Sequence, residues 1–161
     1  MPDSSTQRAL AYLRSHHVMS LATSGGDGLW SAAVFYASDG FELYFLSAAH
    51  TRHAVNMEAD ANVCATIQED YRDWQDIKGI QLAGRAVLLE GAQRSAAIDC
   101  YERKFAFVRA VPGVARDIAS ALKRVGWYRL VPTRLFFVDN SLGFGHRDEI
   151  GLAAPAPPAL P

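Results

Sequence analysis

The sequence predicts a mainly β fold, a small antiparallel barrel with peripheral helices. Three observations lead there. Short runs rich in apolar and β-branched residues recur at about six places along the 161 residues. Glycine-bearing turns, Ser24-Gly-Gly-Asp-Gly28 and Asp39-Gly40, punctuate the first of them. The strands do not alternate regularly with helices, which disfavours a doubly wound parallel sheet.

The elements follow in chain order. Ser4-Ser-Thr-Gln7 has capping-box form and opens a helix to about residue 16, with Ala9, Leu10 and Leu13 on one face. Residues 18–23, 29–38 and 41–47 read as three strands of one antiparallel meander. Thr51 opens a helix to about residue 59, and residues 62–68 are a strand rich in β-branched side chains. Residues 69–76 form a polar loop in which Tyr71 and Trp74 either rim a substrate site or pack under a neighbour. Residues 77–90 are a long strand, its Gly79 and Gly84 marking bends or close backbone approach. Residues 92–108 are helical, with Ala97, Cys100, Tyr101, Lys104 and Phe105 on the 3.6-residue period. Pro112-Gly113 restarts a helix to Arg124, and Pro132 divides two final strands at 126–131 and 133–139. Residues 1–150 thus form one domain, and the Ala/Pro-rich tail 151–161 is expected to fray.

Composition narrows the function classes. Half the residues are hydrophobic, enough for a core, and the net charge of −1 argues against a dedicated nucleic-acid binder. No apolar run is long enough to span a bilayer, and the polar N-terminus carries no signal core. Cys64 and Cys100 lack Cys-x-x-Cys spacing and read as buried free thiols in a reducing, cytoplasmic setting.

The most informative stretch is Leu43-Tyr-Phe-Leu-Ser-Ala-Ala-His-Thr-Arg-His-Ala-Val-Asn56. An aromatic strand runs through a small-residue loop into a helix whose start carries Thr51, Arg52 and His53. First-turn N–H groups have no intrahelical partner, and an arginine fork matches phosphate oxygens. One reading is a phosphate seat; the other is an N-capped surface helix with solvated basic residues. His16-His17 fits a helix C-terminal cap better than a ligand pair. His50 and His53 lack a neighbouring carboxylate, so no metal site is assigned. Tyr101, Arg103, Lys104 and Arg109 form a basic helical face, read as solvated. Gly25-Gly-Asp-Gly28 is a turn, not a phosphate loop, and no catalytic residue can be assigned from spacing.

Leu21-Ala-Thr23, Gly25-Gly-Asp-Gly28, the Ser47-x-x-x-Thr51-Arg-His53 helix start and Ile80-Gln-Leu-Ala-Gly-Arg-Ala86 together resemble the FMN-binding split barrel of the pyridoxamine 5′-phosphate oxidase-like superfamily. Thr51-Arg-His-Ala54, Ile77-Lys-Gly-Ile-Gln81, Leu89-Glu-Gly91, Tyr101-Glu-Arg-Lys-Phe105 and, above all, Asp139-Asn-Ser-Leu-Gly-Phe-Gly145 look like its YhbP-like branch. The resemblance implies a six-stranded antiparallel split barrel with FMN at a homodimer interface. It places the phosphate on Ser47, Thr51, Arg52 and His53, and the ring along Ser31, Ala33 and Val34. Lys78 and Gly79 would come from the other subunit, and Gly143-Phe-Gly-His-Arg147 would close the pocket. His53 is expected to be drawn toward its charged form by the phosphate.

The departures are also informative. His53 stands where the oxidase commonly has lysine, Ser31 where it has arginine and Tyr36 where it has a substrate-binding lysine. Its C-terminal Arg-x-His motif is absent, so the expected activity is an FMN-dependent oxidoreductase that is not a true pyridoxamine 5′-phosphate oxidase. Its second reactant would be a small organic molecule or a nicotinamide. A non-enzymatic flavin-binding module is one rival. A haem-binding split barrel, with His50, His53 or His146 as axial ligand, is the other.

Overall fold

A computed structural model describes residues 4–106, 120–121 and 124–152. Its elements are α1 (Ser4–Ser15), β1 (Val18–Gly25), β2 (Gly28–Phe35), β3 (Ala37–Asp39), β4 (Glu42–Ser47), α2 (Arg52–Ala59) and β5 (Asn62–Gln68). After these come β6 (Lys78–Leu88), α3 (Gly91–Lys104), β7 (Gly126–Asp139) and β8 (Arg147–Glu149). Single turns of 3₁₀ helix at Trp74–Asp76 and Asn140–Leu142 flank β6 and β7.

All the strands pair antiparallel in one sheet, in the order β2-β1-β5-β6-β7-β4-β3, with β8 on β7. β2 and β3 lie at opposite ends of that path, yet only Tyr36 separates them in sequence. The sheet therefore curls round into a split barrel. Tyr36 is fully buried at the join; its N–H donates to the His17 carbonyl (2.9 Å) and its hydroxyl to the Leu13 carbonyl (2.9 Å). The expected strand over residues 29–38 is thus broken, and the expected meander is two separate hairpins.

The barrel has eight strands against the six expected. β8 adds a short strand that the sequence reading missed. Pro132, in contrast, does not end a strand, and β7 runs unbroken through it. Ala83 pairs with Arg134 and Gly84 with Pro132, which leaves Thr133 as the extra residue of a bulge. A proline there removes no ladder hydrogen bond. Gly84 makes the bulge possible, because a Cβ on it would stand 2.3 Å from the Val131 carbonyl oxygen.

Alternation along β1 and β5 sends one face inward and leaves the other open. Met19, Leu21, Phe45, Ile67, Ile80, Leu130 and Leu135 fill the barrel, and α1 closes it with Ala9, Tyr12 and Leu13. Leu10, expected on that face, is only half-buried. A second cluster seats α3 outside the barrel, where Ala97, Tyr101 and Phe105 pack on Trp127, Leu89 and Ala37. Their spacing is the helical period expected. The same alternation corrects the cysteines: Val63 and Ala65 point inward, so Cys64 is exposed, while Cys100 is half-buried. Most of the helix expected after Pro112, Arg109 and the tail from residue 153 lie outside the described residues.

Gly84→Ala is expected to destabilise the fold by about 1–3 kcal/mol in urea denaturation, because the added methyl meets β7 backbone that cannot step aside. Gly26→Ala, with nothing within 4 Å of its Cβ position, is the control and should be close to neutral.

Candidate functional site

The end of β4 and the start of α2 form a compact polar cluster. Ser47, the last residue of β4, pairs with Gly126 of β7 and is 5% exposed. Thr51 is the N-cap of α2, in extended conformation, and its Oγ1 accepts from the Ala54 N–H (3.4 Å). Its hydroxyl donates to the Ala48 carbonyl (2.9 Å), as does its N–H (3.0 Å), so the loop folds back on itself. Ser47 Oγ lies 2.7 Å from Thr51 Oγ1 and 2.6 Å from His53 Nε2. The expected residues Ser47, Thr51 and His53 therefore meet in one hydrogen-bonded chain.

Arg52 turns the other way. Its Nη2 donates to the Asp27 carbonyl in the β1–β2 turn (2.7 Å), and its guanidinium carbon sits 4.7 Å over the Trp30 ring. Its Nε is buried with no partner, and the N–H groups of Arg52 and His53 have none among the described residues. The helix itself is pinned to β1 by buried Asn56, whose Nδ2 donates to Thr23 Oγ1 (3.1 Å). Gly25 leaves room for that contact, since a Cβ there would fall 2.1 Å from Asn56 Oδ1. The first-turn N–H groups and the Ser47 and Thr51 hydroxyls suit phosphate oxygens, and Arg52 Nε, on the Asp27 and Trp30 side, is a third N–H without a partner among the described residues.

Burial pushes the His53 imidazole below its ordinary value. His53 thus favours the neutral ring; the pull toward the charged form that the resemblance implies would come from a bound phosphate.

Ser31 and Ala33 are exposed on β2, facing Ala22 and Ser20 of β1, and Val34 is half-buried against the core. β2 is an edge strand, so one side of its backbone carries no ladder. Lys78 and Gly79 are elsewhere. They pair with Asp139 and Val138, at the far end of β7 from the Gly126 that faces Ser47. One chain does not bring the two groups together. Lys78 and Gly79 instead border a cleft of roughly 350 Å³ with Thr66, Gln68, Gln81 and Val138.

The loop after β7 explains its unusual sequence. Buried Asp139 accepts from the Ser141 N–H (3.2 Å), the Ser141 hydroxyl (2.5 Å) and Arg8 Nη1 (3.0 Å). Buried Asn140 donates from Nδ2 to the Trp74 carbonyl (2.8 Å) and accepts from the Gly145 N–H (3.1 Å). Gly143 and Gly145 take φ values of +139° and +70°, which side chains resist. Between them Phe144 is held out at 84% exposure, edge-on to Trp74. Tyr71 is not at a rim; its hydroxyl lies 3.0 Å from that of Tyr12. Tyr36, fully buried, offers nothing to a substrate.

His50 is exposed, His146 Nε2 lies 3.2 Å from Asp148 Oδ1, and His16 Nδ1 lies 2.7 Å from the Tyr12 carbonyl at the end of α1. Among the described residues no three His, Cys, Asp or Glu side chains converge as metal ligands. Nor is any helix among them long and apolar enough to cross a membrane. The sequence reading gave no role to Trp30, Asp27 or Asn140. A tryptophan directly before the small-residue run Ser31-Ala-Ala33 was the available signal for the first.

A family model described as pyridoxamine 5′-phosphate oxidase matches residues 5–139, and the chain belongs to that family. Within it, the chain is 33% identical over 138 residues to a UPF0306 protein of Photorhabdus laumondii, which covers 84% of this chain and 88% of that one. Two solved structures share the fold. A haem-binding protein from Mycobacterium smegmatis superposes with a TM-score of 0.73 at 21% identity, covering 92% of this chain and 58% of that longer one. HutZ, a haem storage protein from Vibrio cholerae, superposes with a TM-score of 0.63 at 19% identity, covering 78% of this chain and 88% of that one.

The His53 environment has a consequence for stability. Its folded value is depressed below the unfolded one of about 6.5, so the unfolded chain takes up the proton first as pH falls. That contribution is complete above pH ~6.5 and is lost as pH drops through the depressed folded value. Urea denaturation should show a larger loss of stability between neutral and mildly acidic pH for the unmodified protein than for His53→Gln. An equal loss in both would reject the assignment.

Proposed function

We propose that this protein binds FMN at the start of α2 and acts, as a homodimer, as a flavin-dependent oxidoreductase toward a small organic molecule or a nicotinamide. The observation that carries the reading is the start of α2, where the Arg52 and His53 N–H groups and the buried Arg52 Nε have no partner among the described residues. These groups would hold the phosphate, with the Ser47 and Thr51 hydroxyls beside them. The exposed small side chains Ser31 and Ala33 and the open edge of β2 suit the close approach of a flat ring. The flavin supplies the redox chemistry; the chain binds and orients it and shields it from water.

A second copy is supported by the separation of Lys78 and Gly79 from the α2 cluster, because only another chain can bring them to it. Apolar groups left in water agree: Leu29 and Phe144 are both 84% exposed, with Phe35, Trp74 and Leu142 about half exposed. Haem is the second reading, favoured by what the two structural neighbours are named for. In that case exposed His50 is the better axial ligand, since His53 Nε2 is engaged with Ser47.

Titration with FMN should give a saturable yellow complex, and sedimentation should give a dimer. Arg52→Ala should weaken FMN binding at least tenfold, since a charge-assisted contact is worth roughly 1.5–3 kcal/mol. Anaerobic mixing with NADH or NADPH should bleach the flavin; a stable yellow colour with both would favour a binding module. A Soret band on haem addition, with no uptake of FMN, would replace the flavin reading with the haem one.

A further inference from the structure

A second group of cations converges away from α2, where the last turns of α1 and α3 meet β3. Arg14, Arg103 and Lys104 line a cleft of about 310 Å³, with Ser38, Asp39 and Cys100 among its other walls. Three cations thus face one carboxylate. Neither arginine has a carboxylate partner among the described residues, and neither does Asp39 a cation. Lys104 is fixed across the floor. Its Nζ donates to the Leu13 carbonyl (3.3 Å) and the His16 carbonyl, and lies 4.2 Å over the Tyr36 ring. Burial pushes its pKa down to about 8.

Basic last turns answer the helix dipole, and that accounts for Lys104 on the carbonyls ending α1. It does not account for two guanidinium groups, carried by different helices and without a carboxylate partner among the described residues, bordering one cavity, with Arg103 close enough to Cys100 to bond its thiol. The cleft is also separate from the α2 cluster. Asp39 pairs with Glu42 at the start of β4, whereas Ser47 is its last residue. At about 3.3 Å per residue, roughly 17 Å of strand lies between them.

We propose that this cleft is a second anion site, which takes a small doubly charged oxyanion, a phosphoryl or dicarboxylate group, between Arg14, Arg103 and Lys104. The two guanidinium groups offer planar forks to oxygen pairs, and Lys104 adds a point charge already held in place. A cavity at the lower end of ligand-site volumes admits such an ion or a small metabolite bearing one, not a nucleotide.

Cys100 lines the cleft and Cys64 faces outward on β5, so the chain carries its own reporter and control. Alkylation by N-ethylmaleimide is followed at both cysteines by peptide mass spectrometry, at constant ionic strength, with inorganic phosphate or succinate. Saturable protection of Cys100 by at least fivefold, with Cys64 unchanged, is expected from one or both ions, and the two arms separate phosphoryl from dicarboxylate. The protection should vanish in the Arg14→Ala/Arg103→Ala double variant, whose positions are exposed, and persist in Arg52→Ala. If Cys100 alkylates too slowly, isothermal titration of the same proteins with both ions measures the binding directly. Equal Cys100 rates with and without both ions, or protection that survives in the double variant or is lost in Arg52→Ala, would overturn the site; so would the absence of binding heat in the second arm.

Discussion

β7 is the strand on which everything else is placed. It is shared by the two halves of the barrel, pairing with β6 along most of its length and with β4 near its start. Its Gly126 end sets Ser47, and with it the entry into α2; its Asp139 end sets Lys78 and the rigid loop around Phe144. A 14-residue strand that serves both halves of one curled sheet must bend, and the bulge at Thr133 across from Gly84 provides the bend. Gly84 and Pro132 in the barrel wall therefore shape the strand that holds Ser47 and Lys78 apart within one chain.

At the α2 end, Ser47, Thr51 and His53 satisfy each other, so no buried hydroxyl is stranded. Arg52 is different: it is clamped between Asp27 and Trp30 yet keeps Nε unpaired. Clamping removes side-chain freedom in advance, which would reduce the entropy lost in the phosphate binding proposed for it.

Much of this was legible in the chain. Helical spacing of Ala97, Tyr101 and Phe105 identified the buried face of α3, and Thr51-Arg-His53 marked a capped helix start, because both signals are local. The misreadings were failures of non-local information. Pro132 looked like a strand break because its bulge depends on Gly84, nearly fifty residues earlier. Tyr36 looked like part of a strand, since only the curl of the whole sheet shows that β2 and β3 belong to opposite ends. Cys64 looked buried for want of the β5 register. The Asp139–Gly145 motif stood out in sequence, but its purpose required seeing Asn140 bridge Trp74 and Gly145.

The strand order also constrains the route by which this chain folds. β4 has only two neighbours, the three-residue β3 and β7, whose first residue follows the end of β4 by nearly eighty positions. Until that late segment arrives, the β3–β4 hairpin is a two-stranded ribbon, a unit with marginal stability in water. Closure of the barrel is thus a long-range event, of the kind that slows folding and leaves aromatic strands uncovered in the meantime. Phe45 and Tyr128, stacked at 5.3 Å, are a contact that only this late pairing of β4 with β7 can make.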